Sequence, residues 1–153
     1  MKGGPDTAQQ LRARALRLLA RRDHSRAELE RKLGPHAGSA EVVAGILEAL
    51  VQNKQLSDER YAEARARQLA RKYGAVRIAH ELRGKGVSDD AIAAAFAAEG
   101  TSDLERAVVI LRRKYRQPAT SRVERARRAR FLQARGFSSE VIYRLVMGKG
   151  DEI

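Results

Sequence analysis

The sequence predicts an all-α fold of three tandem three-helix repeats, resembling helix-turn-helix units, and three observations carry that prediction. Helix formers dominate the 153 residues, which include only 3 prolines and no sustained run of β-branched residues. Apolar residues recur at i, i+4 and i+7 in one segment after another, the spacing that lines one helix face. The segments also share letters. Leu19-Ala20-Arg21-Arg22, Leu69-Ala70-Arg71-Lys72 and Leu111-Arg112-Arg113-Lys114 each close a first helix, and Lys85-Gly86-Val87-Ser88 returns as Arg135-Gly136-Phe137-Ser138. Repeats of this length are stabilised by stacking on their neighbours, so an elongated, curved array is expected.

The first repeat is placed at residues 7–54. Leu11, Ala15, Leu18, Leu19 and Arg22 follow helical spacing, and the helix stops at Arg22-Asp23-His24. Ser25 and Glu28 form a capping-box pattern that starts a second helix, with Leu29 and Leu33 one turn apart behind it. Gly34-Pro35-His36-Ala37-Gly38 reads as a turn of residues that cannot continue a helix. Ser39 then caps a third helix with Val43, Ile46, Leu47 and Leu50 on its apolar face.

The second repeat is placed at 56–100. Ser57, followed by Asp58 and Glu59, combines a side-chain acceptor with two anions at the positive end of a helix dipole. Ala62, Ala66, Leu69 and Tyr73 make its stripe, and Gly74 reads as a left-handed C-cap behind Lys72-Tyr73. Ala75, Ile78 and Leu82 follow, then a turn at Gly86, then Ser88 as the cap of a helix carrying Ile92, Ala95 and Phe96. The third repeat is placed at 101–148. Ser102 and Glu105 repeat the capping box, Leu104, Val108, Leu111 and Tyr115 repeat the stripe, and Pro118 breaks the chain. A basic helix runs from about Ser121 to Arg135, Gly136 turns, and a last helix from Ser138 or Ser139 carries Val141, Ile142, Leu145 and Val146.

Composition removes several functional classes from the expectation. With no cysteine there is no disulfide, thiolate nucleophile or cysteine-based metal site. The longest apolar run, Ala91 to Ala98, is too short to span a bilayer, and Met1-Lys2-Gly3-Gly4-Pro5-Asp6 contains no apolar signal core, so a cytoplasmic protein with no membrane contact is expected. His24, His36 and His80 are read as surface or turn residues, isolated from one another and from metal-ligand spacings such as H-E-x-x-H. Capping accounts for the serines, and no local pair of carboxylates suggests acid–base work. Neither an enzyme nor a cofactor is expected.

Net charge points instead to an anionic partner. The chain carries +12, distributed as 10 basic against 6 acidic residues in 1–56, 8 against 7 in 57–100, and 13 against 6 in 101–153. Arg122, Arg125, Arg127, Arg128 and Arg130, with only Glu124 among them, would project around most of a helix at about 100 degrees per residue. Part of this ring can meet DNA phosphates or acidic groups, whereas a face serving solubility alone would mix signs. Arg21, Arg22, Arg71, Lys72, Arg112, Arg113 and Lys114 either complement helix dipoles, at a few tenths to about 1 kcal/mol each, or form a basic ridge, one site per repeat. Arg77, Arg83 and Lys85 are weaker candidates, partly neutralised by Glu81. Tyr61, Tyr73, Tyr115 and Phe137 stand at core-like spacings and are assigned to packing rather than base stacking.

On these residues the chain resembles the RecX family of bacterial recombination regulators. The resemblance runs from about Leu11 to Met147. Its carriers are Leu19 to Leu29, Leu56 to Ala64, the R-x-YG-x-x-RI-x-x-EL-x-x-KGV type of run from Arg71 to Val87, and Phe131 to Ile142. The segments Gly34 to Ser39 and Asn53-Lys54-Gln55 depart from the family pattern. The resemblance implies a protein that binds the RecA recombinase, lies in the groove of its nucleoprotein filament, and inhibits its ATPase, strand-exchange and co-protease activities, and the charge adds single- and double-stranded DNA as expected partners. A monomer spanning successive filament protomers is expected. Two other classes stand beside this one: a helix-turn-helix protein that binds DNA directly and non-specifically, and a helical scaffold with no nucleic-acid role, which the charge of the last third disfavours.

Overall fold

A computed structural model describes residues 3–147, so the end of the expected third repeat at residue 148 lies outside the described residues. Every regular element among the described residues is helical. The first repeat holds α1 (Ala8–Arg21), α2 (Arg26–Leu33) and α3 (Ala40–Gln52). The second holds α4 (Asp58–Leu69), α5 (Ala75–Gly84) and α6 (Asp89–Glu99). In the third, α7 (Asp103–Lys114) and α8 (Arg122–Ala134) precede α9 (Ser139–Ile142), which runs on as a π-helical turn at Tyr143–Met147.

Side-chain acceptors fix most of the helix starts. Ser25 and Ser102 make full capping boxes with Glu28 and Glu105, and the hydroxyls of Ser39, Ser57, Ser88, Ser121 and Ser138 each accept from a backbone N–H three residues on. Thr7 adds a capping box with Gln10 at α1. After α2 the chain does not break at once: Gly34–His36 tightens into a 3-10 turn, with Pro35 near its start, where a missing N–H costs nothing.

The described chain divides into two compact units, one of residues up to 64 together with 82–95, the other of 65–81 together with 96 onward. The first has an apolar core of Leu11, Ala15, Leu29, Leu33, Val43, Leu47, Leu50 and Leu56, with Leu18, Leu19 and Ile46 packed against it. The second has a core of Ala107, Ile110, Leu132, Phe137, Leu145 and Val146. The expected α7 stripe is displaced: Leu104, Val108 and Leu111 flank this core half-buried, while Ala107 and Ile110 point into it.

Two junctions between consecutive repeats follow one plan, each inside one unit. At the first, Asp58 Oδ1 accepts the N–H of Arg26 at 2.8 Å, and the Lys85-Gly86 turn lies on the start of α2, where the Ser25 hydroxyl donates to the Lys85 carbonyl at 2.7 Å. At the second, Asp103 Oδ1 accepts the N–H of Ala75 at 2.9 Å, and the Arg135-Gly136 turn lies on the start of α5, where Gly74 N–H donates to the Arg135 carbonyl at 2.8 Å. The shared four-letter turns are therefore docking elements as well as helix boundaries. Gly86 (φ 82°) and Gly136 (φ 87°) sit in the left-handed region and touch the helix they dock on. A Cβ on Gly86 would meet Ala27 Cβ at 2.6 Å, and one on Gly136 would collide with Arg77.

Gly74 departs from its expected role. It is not among the left-handed residues and does not end α4, which stops at Leu69; it precedes Ala75 at the start of α5. Its missing side chain is a packing requirement, since a Cβ there would meet the Gly136 carbonyl at 2.5 Å and the Phe137 ring at 2.6 Å. With α4 ending early, Tyr73 leaves the helical stripe and is half-buried, whereas Tyr61 and Phe137 are buried as expected.

Candidate functional site

The predicted cations divide into those the fold has committed and those it leaves to solvent. In the first unit Arg22 caps the end of α1 and pairs with Glu28 at 3.1 Å while donating to the Asp23 carbonyl. Lys85 approaches the same carboxylate at 3.6 Å. Glu28 is 4% exposed. Burial alone would raise its carboxyl, but the hydrogen bonds from Arg22 and the Ser25 N–H, with the charges of Arg22 and Lys85, outweigh that and bring it down to about 2. Arg22 and Lys85 thus meet at a structural carboxylate. Arg83 pairs with Asp89 on the surface, worth at most about 1 kcal/mol, and Arg21 is exposed without a carboxylate partner among the described residues.

In the second unit Arg77 lies over the Tyr73 ring at 4.2 Å and donates to the Ala134 carbonyl, and Arg135 approaches the same ring at 5.8 Å while donating to the Lys72 carbonyl at 3.2 Å. Arg128 is likewise committed, stacked on Tyr115 at 4.5 Å and donating to the Gln117 carbonyl at 2.7 Å. Two of the four aromatic residues assigned to packing are therefore platforms for arginine. Lys114 stands 5.6 Å from the Phe131 ring. Arg71, Lys72, Arg112, Arg113, Lys114, Arg122, Arg127 and Arg130 are exposed, Arg125 is half-buried, and none of them pairs with a carboxylate among the described residues. Glu124 turns back to cap: its carboxyl is held below the usual range by the N–H and hydroxyl of Thr120.

The fold brings some of these cations together. Arg71 and Arg113 share a concavity with Arg67 and Arg106, where Glu99 and Glu105 mix the signs. Arg112, Arg125 and Arg128 line another with Arg116. Arg116 sits at no repeated position, and Arg67 went unmarked although Arg17 holds the equivalent place two residues before Leu19. It also missed Arg106, 9% exposed, which binds Glu99 at 3.1 Å, Asp103 at 2.6 Å and the Thr101 carbonyl at 2.6 Å, tying α6 to α7. His24 lies in the expected turn between α1 and α2, but it is not a surface residue: it is 2% exposed, with Nδ1 3.0 Å from the Arg22 carbonyl, and burial lowers its pKa. His36 and His80 are exposed.

Chemically, the uncommitted guanidinium and ammonium groups suit phosphate or carboxylate oxygens, with affinity that falls as salt rises. Among the described residues no group of histidines and carboxylates could hold a metal ion, and no helix is long and apolar enough to cross a membrane.

Comparison with known proteins covers nearly the whole chain. Residues 12–50, 57–95 and 101–146 match the family descriptions of the first, second and third three-helix domains of RecX. The regulatory protein RecX of Leptothrix cholodnii is 44% identical, covering 86% of this chain and 84% of its own, and that of Ralstonia nicotianae is 41% identical, covering 90% and 87%. The crystal structure of RecX from Lactobacillus salivarius superposes with a TM-score of 0.80 over 95% of this chain and 97% of its own, at 22% identity. Another, described as regulatory protein RecX, gives 0.75 over 92% and 72%, at 25% identity.

Proposed function

The chain belongs to the RecX family of regulatory proteins, and on that premise we propose that it binds the RecA recombinase and its nucleoprotein filament and inhibits ATPase, strand-exchange and co-protease activity. It acts as a cytoplasmic monomer without catalysis of its own, its three repeats bounded at 7–54, 56–100 and 101–148. The observation that carries the reading is the group of exposed cations at the ends of α4 and α7 and along α8 that have no carboxylate partner among the described residues. Arg71, Lys72, Arg112, Arg113, Lys114, Arg122, Arg127 and Arg130 meet DNA phosphates or acidic filament groups, and the bound protein obstructs the movements coupled to ATP hydrolysis. Arg21 belongs with them, while Arg22, Arg77, Arg83, Lys85 and Arg128 contribute through the scaffold they hold.

The test is DNA-dependent ATP turnover by the cognate recombinase. Substoichiometric protein slows it at concentrations too low to sequester the DNA, and an unchanged rate there would overturn the proposal. The excess of the last repeat, 13 basic against 6 acidic residues, favours one alternative, direct non-specific DNA binding. DNA affinity falls steeply with salt under both readings. Binding to DNA-free recombinase separates them, because it exists only under the first.

A further inference from the structure

In the third repeat, α7, the loop at 115–121, α8 and the π-helical turn at Tyr143–Met147 enclose an open cavity of about 160 Å³. Its floor is aliphatic: Val108 and Leu111 come from α7, and Leu145 and Val146 from the π-helical turn. Its rim holds Arg112, Arg116, Arg125 and Arg128, and no acidic residue lines it among the described residues. The concavity shared by Arg71 and Arg113 mixes both signs, which sets this one apart from it.

We propose that this cavity is a docking pocket for an acidic peptide segment of a partner protein, one leucine or phenylalanine seated on the aliphatic floor and flanking carboxylates on Arg112, Arg116 and Arg125 of the rim. The size fits, since an apolar cavity of about 150 Å³ takes up a benzene-sized group. Charge complementarity selects an anionic peptide: guanidinium groups at the edge of an apolar surface bind carboxylates with paired hydrogen bonds. The aromatic geometry disfavours an unpaired base. Stacking needs an open ring face, and the one aromatic residue lining the cavity, Tyr115, has Arg128 over its ring at 4.5 Å and packs edge to face with Phe131 at 5.9 Å and 88°. The inference is independent of whether the partner is the recombinase, because the pocket specifies a peptide chemistry and not a protein.

The full chain is titrated against a fluorescent hexapeptide of two aspartates, a phenylalanine, a leucine and two glutamates, read by anisotropy at physiological salt. A control peptide has both apolar residues replaced by serine. The anchored peptide binds saturably and the control at least about tenfold more weakly, the scale expected for burying one large apolar side chain. Equal affinities mean that only charge is read and overturn the proposal without any variant. Ala119→Phe fills the cavity from the half-buried loop, and Arg116→Glu with Arg125→Glu reverses part of the rim. In variants with the parent melting curve, each change weakens the anchored peptide about tenfold or more. Unchanged peptide binding in either overturns the pocket. A single-stranded oligothymidylate keeps its affinity for Ala119→Phe; a loss matching that of the peptide makes a base the occupant and also overturns it.

Discussion

At the first junction the Lys85 carbonyl accepts from the hydroxyl of Ser25, and at the second the equivalent Arg135 carbonyl accepts from the backbone N–H of Gly74. Both junctions keep the same frame: an aspartate in the first turn of one helix reaches back to a free N–H of the preceding repeat, and a left-handed glycine brings a turn into contact. What closes the frame differs. The first is closed by the buried Glu28 carboxylate, which consumes Arg22 and Lys85; the second by Gly74 against Phe137 and by Arg77 and Arg135 around Tyr73. An ionic closure neutralises its cations internally, whereas an aromatic closure leaves their charge in place. The second therefore preserves the positive surplus of the region proposed to bind.

The largest expected difference lies at the turn glycines. Gly136→Ala should destabilise by about 3–5 kcal/mol, combining left-handed strain with a collision against Arg77 backbone, and Gly86→Ala by about 2–4, since only the Ala27 methyl must yield at close range. Denaturant unfolding gives both values, and a smaller effect at Gly136 would show that the second junction yields more readily than its packing implies. The aspartates come next. Asp103→Ala should cost about 2–4 kcal/mol because it also strips a carboxylate from buried Arg106, and Asp58→Ala about 1–2, so equal losses would remove Arg106 from the junction.

Acid should separate the junctions further. The Glu28 carboxyl is depressed to about 2, so its contribution is fully present above its ordinary value near 4.5 and is lost as pH falls from there toward 2. Glu28→Gln should lower stability by about 1–3 kcal/mol at neutral pH and flatten the fall in melting temperature between pH 5 and pH 2, roughly the window of that titration. A parent and variant with parallel profiles would mean that Glu28 is not the acid-sensitive group. The smallest effect belongs to Tyr73→Leu. Losing the two arginine contacts should cost about 1 kcal/mol and leave the acid profile unchanged, as checked by thermal melts.

The sequence made the local grammar legible. Ser25, Ser102 and Ser138 declare helix starts because a cap and its recipient are three residues apart, and Gly86 and Gly136 declare turns because a left-handed residue needs no partner to be costly. Features set by distant packing stayed hidden. Gly74 reads as a C-cap until Phe137, more than sixty positions away in sequence, is placed against it. The second roles of Asp58 and Asp103 are masked by their suitability for a helix first turn, and Arg106 is buried only because Glu99 and Asp103 enclose it. The same limit applies to the cations: charge composition gives their number, and only folding distinguishes Arg128 on Tyr115 from exposed Arg127 one residue earlier.

The backward reach of the two aspartates has a consequence for synthesis. During translation α2 emerges with its Arg26 N–H unpaired until Asp58 has left the ribosome, and Ser25 lacks its acceptor until Lys85 follows. The second repeat waits in the same way for Asp103 and Arg135. Each repeat is completed by the next one made, so in a nascent chain stopped between repeats the docking groups at the start of the last repeat's middle helix still face water, and folding advances in steps that lag the growing chain by about one repeat.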